Sequence, residues 1–135
     1  MIVTIDTSAL LKLLIAESET AAVTARLQRA PQEDDVLCIS SLAVAEMRRA
    51  CLRAALSVAD ADAITSRFRV IRLSEAVLQL AGRLPASYLR TLDAIHLATA
   101  LEIEARAMMT YDHRLREAAE AEGLEVIAPR PEPQG

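Results

Sequence analysis

Asp6, Glu46, Asp93 and Asp112 are the residues of this chain whose type and placement could do chemistry. Asp6 closes the apolar run Met1 to Ile5, and Asp112 ends the run Ala107 to Tyr111. Asp93 opens a helical pattern beginning at Thr91, and Glu46 lies about one and a half turns into a helix that follows Leu37 to Ser41. In an open parallel sheet the carboxyl ends of the strands share one edge, where such folds build sites. Acids remote in sequence can therefore line one pocket. Packed together they repel and raise one another's pKa unless a cation neutralises them, and an all-oxygen donor set suits a hard divalent ion, Mg²⁺ or Mn²⁺.

Singly, each Asp has a local explanation. Asp112 suits an N-cap, Asp93 in a first turn complements the helix dipole, and Asp6 fits a turn or cap beside Thr7. Glu46 resists such a reading, because it interrupts the apolar stretch Leu42 to Met47 and needs a cation, a hydrogen bond or water. Its local alternative is a helix pair with Arg49, three residues on. Only the joint placement argues for a site. His96, three residues after Asp93, could face that site but reads better as a packing residue; His113 reads as exposed, and neither has zinc-ligand spacing.

The elements that must position the acids follow from periodicity and caps. Residues 2–5 form a short β-branched strand, and Thr7 and Ser8 start a helix with a stripe at Leu10, Leu11, Leu14 and Ile15. A second helix over about 19–30 is expected to end before Pro31, with an acidic loop at 32–35 and a strand at 36–39. Ser40 or Ser41 caps a helix to about residue 56, whose Ala and Leu positions wrap most of its circumference. Helix 60–69, strand 70–73, a helix from Ser74 to near Pro85, helix 91–105, strand 107–111, helix 112–122 and strand 124–127 complete the body, with Gly123 as a C-terminal cap. This alternation predicts a three-layer α/β/α sandwich with a mostly parallel sheet. One domain over residues 1–128 is expected, followed by a disordered Pro-rich tail, 129–135.

Composition narrows the function. With 135 residues, 53% hydrophobic and 2% aromatic, the core must be aliphatic. Three glycines and the absence of GxGxxG or GxxxxGK[ST] argue against a glycine-rich phosphate cradle. Cys38 and Cys51 read as buried thiols of a reducing compartment. No apolar run approaches a membrane span and no signal-peptide pattern opens the chain, so a cytoplasmic protein is expected. A net charge of −4 does not advertise a polyanion partner, but fourteen of the fifteen bases are Arg, and Arg49 and Arg114 are the first candidates to meet phosphate.

The segments Asp6 to Leu10, Ser41 to Glu46, Leu92 to Ala100 and Thr110 to Asp112 resemble the motifs of PIN-domain nucleases, and most of all the VapC-type toxins of bacterial toxin–antitoxin pairs. The similarity covers essentially residues 1–127, and its first and third motifs are the specific ones. The resemblance implies a PIN-like fold and Mg²⁺- or Mn²⁺-dependent endoribonuclease activity. It also implies a homodimer, and inhibition by a small antitoxin lying in the active-site groove. Asp6, Glu46, Asp93 and Asp112 carry over as the metal-site acids, with Ser8 and Thr110 as polar supports. Asp6 and Asp93 would ligate directly; Glu46 would bind metal or orient the attacking water as general base, and Asp112 would hold a second metal or an outer water. Two rival readings have less behind them. A receiver domain or haloacid-dehalogenase-like phosphatase lacks support, since Lys12 is the only lysine and Asp6-Thr7-Ser8 is no Asp-x-Asp. A non-catalytic PIN-like module that binds RNA or protein would be favoured by loss of an acid, and none is lost.

Overall fold

Val3 and Ile5 point to one face of β1 (Ile2–Ile5) and Thr4 to the other, and all three are buried, so this strand lies at the centre of the sheet. The computed structural model describes residues 1–133. It contains five strands in the order β3-β2-β1-β4-β5, with β2 at Val36–Ser40, β3 at Arg69–Ile71, β4 at Ala107–Met109 and β5 at Glu125–Ile127. Every neighbouring pair is parallel. Chain order reverses between β1 and β4, and at such a switch point the connections leave in opposite directions and open a crevice at the carboxyl edge.

Helices cover both faces. Val3, Ile5, Ile39, Ala107 and Met109 pack with Ala9 and Leu10 of α1 (Thr7–Leu14), Val23 of α2 (Thr20–Gln28), Ala43 and Met47 of α4 (Ser41–Ala54) and Ile64 of α5 (Val58–Thr65). Met108 belongs to the opposite cluster, with Leu97 and Ala100 of α7 (Thr91–Glu102) and Leu115 and Ala118 of α8 (His113–Ala121). A third cluster joins Val77 of α6 (Glu75–Arg83) to Ile95 and Ala98 of α7. The predicted three-layer sandwich is the fold, and its sheet is parallel throughout.

Several expectations need correction. Helix α2 ends at Gln28, before Pro31 as expected, but Pro31 then sits in the first turn of a short α3 (Ala30–Glu33), where its missing N–H is no loss. The 32–35 segment is therefore partly helical, and Asp35 is turned inward to Arg26 at 2.9 Å and to the N-terminal ammonium at 3.3 Å. The helix buried around its circumference is α7, whose residues 94–100 are all buried, rather than α4. α4 buries Ala43, Met47, Ala50 and Cys51 and leaves Leu52 59% exposed. Helix α5 starts earlier than expected because Ser57 caps it through Ala59 N–H. Asp6, Ser40, Ser74 and Asp112 cap α1, α4, α6 and α8 as helix-start chemistry requires.

Ala55 closes α4 in the left-handed region, at φ 55°. An L-residue there is strained against its own carbonyl, whereas glycine is not. Ala55→Gly is expected to stabilise the protein by roughly 0.5–1 kcal/mol, since the relieved strain exceeds the added freedom of the unfolded chain. Urea denaturation of both proteins reads this directly.

Candidate active site

Asp6 stands immediately after the central strand and Asp112 shortly after its neighbour β4, one on each side of the switch point. Asp6 is 4% exposed, and its backbone N–H donates to the Met109 carbonyl at 3.1 Å. Its Oδ1 accepts from the Ser8 hydroxyl at 2.7 Å and from Ala9 N–H at 3.3 Å; its Oδ2 accepts from the Thr110 hydroxyl at 2.9 Å. A carboxylate oxygen offers about two lone-pair directions. Oδ1 is thus filled, and Oδ2 keeps one direction free. Ser8 and Thr110 extend the network, Ser8 Oγ accepting from Tyr111 N–H at 2.9 Å and Thr110 Oγ1 from Asp112 N–H at 3.1 Å. The two polar supports named from the sequence therefore tie Asp6 to the β4 edge.

Glu46 meets side chains of α1 and α7 rather than pairing with Arg49. Its Oε1 accepts from the Thr7 hydroxyl at 2.7 Å and lies 2.6 Å from His96 Nε2. His96 is 4% exposed. The packing role favoured for it from sequence gives way to a polar one at the site, and the helix pair Glu46–Arg49 is absent among the described residues. The available signal was spacing: His96 follows Asp93 by three residues, which puts both on one helix face. That Glu46 would meet them there depends on how α4 packs near α7.

One cavity of about 460 Å³ gathers these groups. Asp6, Glu46, Asp93 and Asp112 line it with Thr7, Ser8, Arg49, Arg53 and His96. Arg114 is exposed on α8 and is not among the lining residues. Of the other nearby bases, Lys12 is paired with Glu17 and Glu19, and Arg48 with Asp62 at 2.8 Å. A second cavity, about 580 Å³, lies between α2 and residues 127–132. Alanines and arginines dominate its lining, and it brings no acids together as the first does.

The electrostatics of the acids differ. Burial pushes the Asp6 carboxyl up from 3.8 to about 6, against the opposing hydrogen bond from Ser8, the positive charge of His96 and the bonds from Thr110 and Ala9. Burial and then the neighbouring Asp112 raise Asp93. Burial also acts to raise Glu46, but hydrogen bonds from His96 and Thr7 and the charges of His96 and Arg53 outweigh it and hold the group below its ordinary value. Burial is the first cause of both raised values, and only Asp93 is raised by neighbouring carboxylates as well. Among the described residues no three His, Cys, Asp or Glu groups close on a common point. The oxygen donors fit a hard, largely hydrated cation held by one or two carboxylates rather than a full protein cage.

A raised Asp6 makes the metal-free protein pH-sensitive. Between about pH 4 and 6 the folded state holds a proton that the unfolded chain has released, so this contribution to stability falls as pH rises. Two pKa units correspond to a loss on the order of 2–3 kcal/mol. Asp6→Asn keeps the cap and removes the charge, so its stabilising effect in chelator should grow from pH 4 to pH 7. Denaturation midpoints of both proteins across that range measure it; a constant difference would refute the burial effect.

Comparison with known proteins agrees with this geometry. The family model described as "PIN domain" matches residues 3–121. Ribonuclease VapC46 of Mycobacterium tuberculosis is 41% identical over 129 residues, covering 93% of this chain and 95% of the relative. Among solved structures, VapBC2 from Rickettsia felis bound to a promoter DNA fragment superposes with TM-score 0.74 at 16% identity, over 94% of this chain and 98% of that one. VapC20 of Mycobacterium tuberculosis, described as a sarcin-ricin loop cleaving toxin, does so with TM-score 0.71 at 16% identity, over 96% and 99%. An acidic cavity at the switch point of a parallel sheet, a family model spanning most of the chain and a 41% identical relative lead to one conclusion: the chain belongs to the PIN-domain family, in its VapC group.

Proposed function

We propose that this protein is a Mg²⁺- or Mn²⁺-dependent endoribonuclease and the toxin of a toxin–antitoxin pair. The observation that carries the reading is the convergence of Asp6, Glu46, Asp93 and Asp112 on one cavity. The name ribonuclease borne by VapC46 supports RNA as the substrate class. A non-catalytic module that kept only the fold would have no need of four acids on one cavity.

When bound, the cation supplies positive charge to the phosphodiester under attack and makes a neighbouring water more acidic. Asp6 offers it the free direction on Oδ2, and Asp93 is the second direct ligand. Glu46 has Oε2 available; held below the ordinary carboxylate range, it is a weak proton acceptor and acts by charge and orientation. Asp112 uses Oδ1 to accept from the Leu115 N–H at 3.0 Å, so it serves the site with its other oxygen, through water or a second ion. Arg49 and Arg53 line the same cavity and balance the phosphates of an approaching strand. Aromatic platforms contribute little: Phe68 is in the core, and the Tyr111 hydroxyl is bonded to the Pro129 carbonyl. Recognition then rests on backbone and shape.

The same acids suit inhibition. An antitoxin segment carrying Arg can pair with them by bidentate hydrogen bonds and displace cation and RNA together. The exposed Leu52 and Leu56 at the end of α4 support a homodimer in this reading. Among the described residues no helix is long and apolar enough to cross a membrane, and a cytoplasmic site of action fits an RNA substrate. Residues 1–128 act as the nuclease domain. The proposed Pro-rich tail begins at 129; its last two residues, 134–135, lie outside the described residues.

Two outcomes are expected. Asp6→Asn, Glu46→Gln and Asp93→Asn each lower RNA cleavage in Mn²⁺ roughly a hundredfold or more while the protein stays folded, and Asp112→Asn lowers it less. Full activity of the Asp6 or Asp93 variant would reject the assignment. Induced alone in a bacterial host, the wild type arrests growth and Asp6→Asn does not; equal arrest by both would separate toxicity from this cavity.

A further inference from the structure

His96 occupies a place that neither packing nor the acid quartet explains. It lies in the first half of α7, buried to 4% exposure, in a stretch whose other buried members are Ala94, Ile95, Leu97, Ala98, Thr99 and Ala100. An aliphatic residue would fill such a position without bringing a polar ring into the core. The ring instead reaches across to α4, with Nε2 at 2.6 Å from Glu46 Oε1 and 3.4 Å from Thr7 Oγ1. Thr7 donates its own hydroxyl to the same Oε1 at 2.7 Å. Two donors, one from α1 and one from α7, therefore converge on a single carboxylate oxygen of α4.

The geometry has a direct consequence. Oε1 has about two lone-pair directions, and both are taken. Free rotation of the carboxyl would otherwise exchange its two oxygens, so pinning Oε1 fixes which oxygen remains available and where it stands. A glutamate has three rotatable side-chain bonds, and holding its end at two points removes most of that freedom before any ligand arrives. Hydrogen bonds of this kind from a neighbouring shell orient metal-ligating groups in many sites. With Glu46 an anion, Nε2 must carry the proton, which fixes the ring's working state at this nitrogen as donor.

We propose that His96, together with Thr7, is a positioning residue that clamps Oε1 of Glu46 and presents Oε2 to the cavity for a divalent cation or its water. The inference rests on the nuclease reading above, and it adds to the acids a pair of residues that act through Glu46. It also gives α7 two roles, since Asp93 faces the cavity directly while His96 on the same helix face acts through Glu46.

The test uses Mn²⁺ affinity by titration calorimetry on metal-free protein, with cleavage of RNA as a second readout. His96→Met fills the space without a donor, and His96→Gln restores an N–H near the position of Nε2. His96→Met should weaken Mn²⁺ roughly 10–100-fold, the range for such supporting groups, and lower kcat more than it raises KM. His96→Gln should recover most of both. In a Glu46→Gln background, His96→Met should change neither further, because its effect passes through Glu46. Thr7→Val should give a smaller loss in the same direction, and it supplies the test if His96→Met does not fold. Wild-type affinity in His96→Met, or no recovery with His96→Gln, would overturn the clamp and leave the nuclease reading standing. Failure of the wild type itself to bind Mn²⁺ would overturn both.

Discussion

The burial of one carboxylate at the switch point of the sheet is the constraint on which the rest of this structure depends. Asp6 ends the central strand, so no surface loop is available to carry its charge into water. Its three donors are two hydroxyls and a backbone N–H, none of them charged. Neutral donors orient a carboxylate well but compensate its desolvation only in part, and the pKa of about 6 records the difference. Asp93 is raised as well, by burial and by Asp112. The site thus lowers the stability of the metal-free protein, a loss that the proposed cation would offset.

The scaffold tolerates this because the charge is surrounded by rigid, well-packed elements. β1 is paired on both sides, α1 is capped by Asp6 itself, and α7 is enclosed along seven consecutive residues, 94–100. Each acid is carried by an element whose position the core decides, so Asp93 stays close enough to Asp112 and Glu46 to be raised by both. Glu46 shows the complementary strategy. It is partly exposed, yet neighbouring donors from Thr7 and His96 keep it charged. Within one cavity the protein therefore keeps Glu46 readily ionised and holds Asp6 and Asp93 above the ordinary carboxylate range, a separation of roles set by environment.

Much of this was legible in the sequence, and the reasons are local. Strand β1 is a short β-branched run, the caps at Asp6, Ser40, Ser74 and Asp112 are written in residue type, and the alternation of elements dictates a parallel sheet. Acids at strand ends can be paired with one another on topology alone, which is how Asp6 and Asp112 are found. What sequence could not supply is which neighbour each polar group meets across helices. Arg49 is close to Glu46 in sequence and was the local alternative to a site role, but the Glu46 side chain meets His96 instead. Arg114 sits near Asp112 in sequence but is exposed on α8 and does not line the cavity. α7 rather than α4 is the enclosed helix because apolar residues all round a helix state only that it can be buried, whereas tertiary packing decides which helix is. Pro31 marked the end of α2 correctly, but a proline after one helix can also open the next, and the residues alone did not reveal α3.

The acids are proposed to hold a divalent cation for hydrolysis of RNA. Metal-free wild-type protein incubated with a structured RNA, first in chelator and then with Mn²⁺ added, tests this most directly. No cleavage is predicted in chelator, and internal cleavage is predicted to appear on addition of Mn²⁺. Undiminished cleavage in chelator, or intact RNA at saturating Mn²⁺ and Mg²⁺ alike, would contradict it.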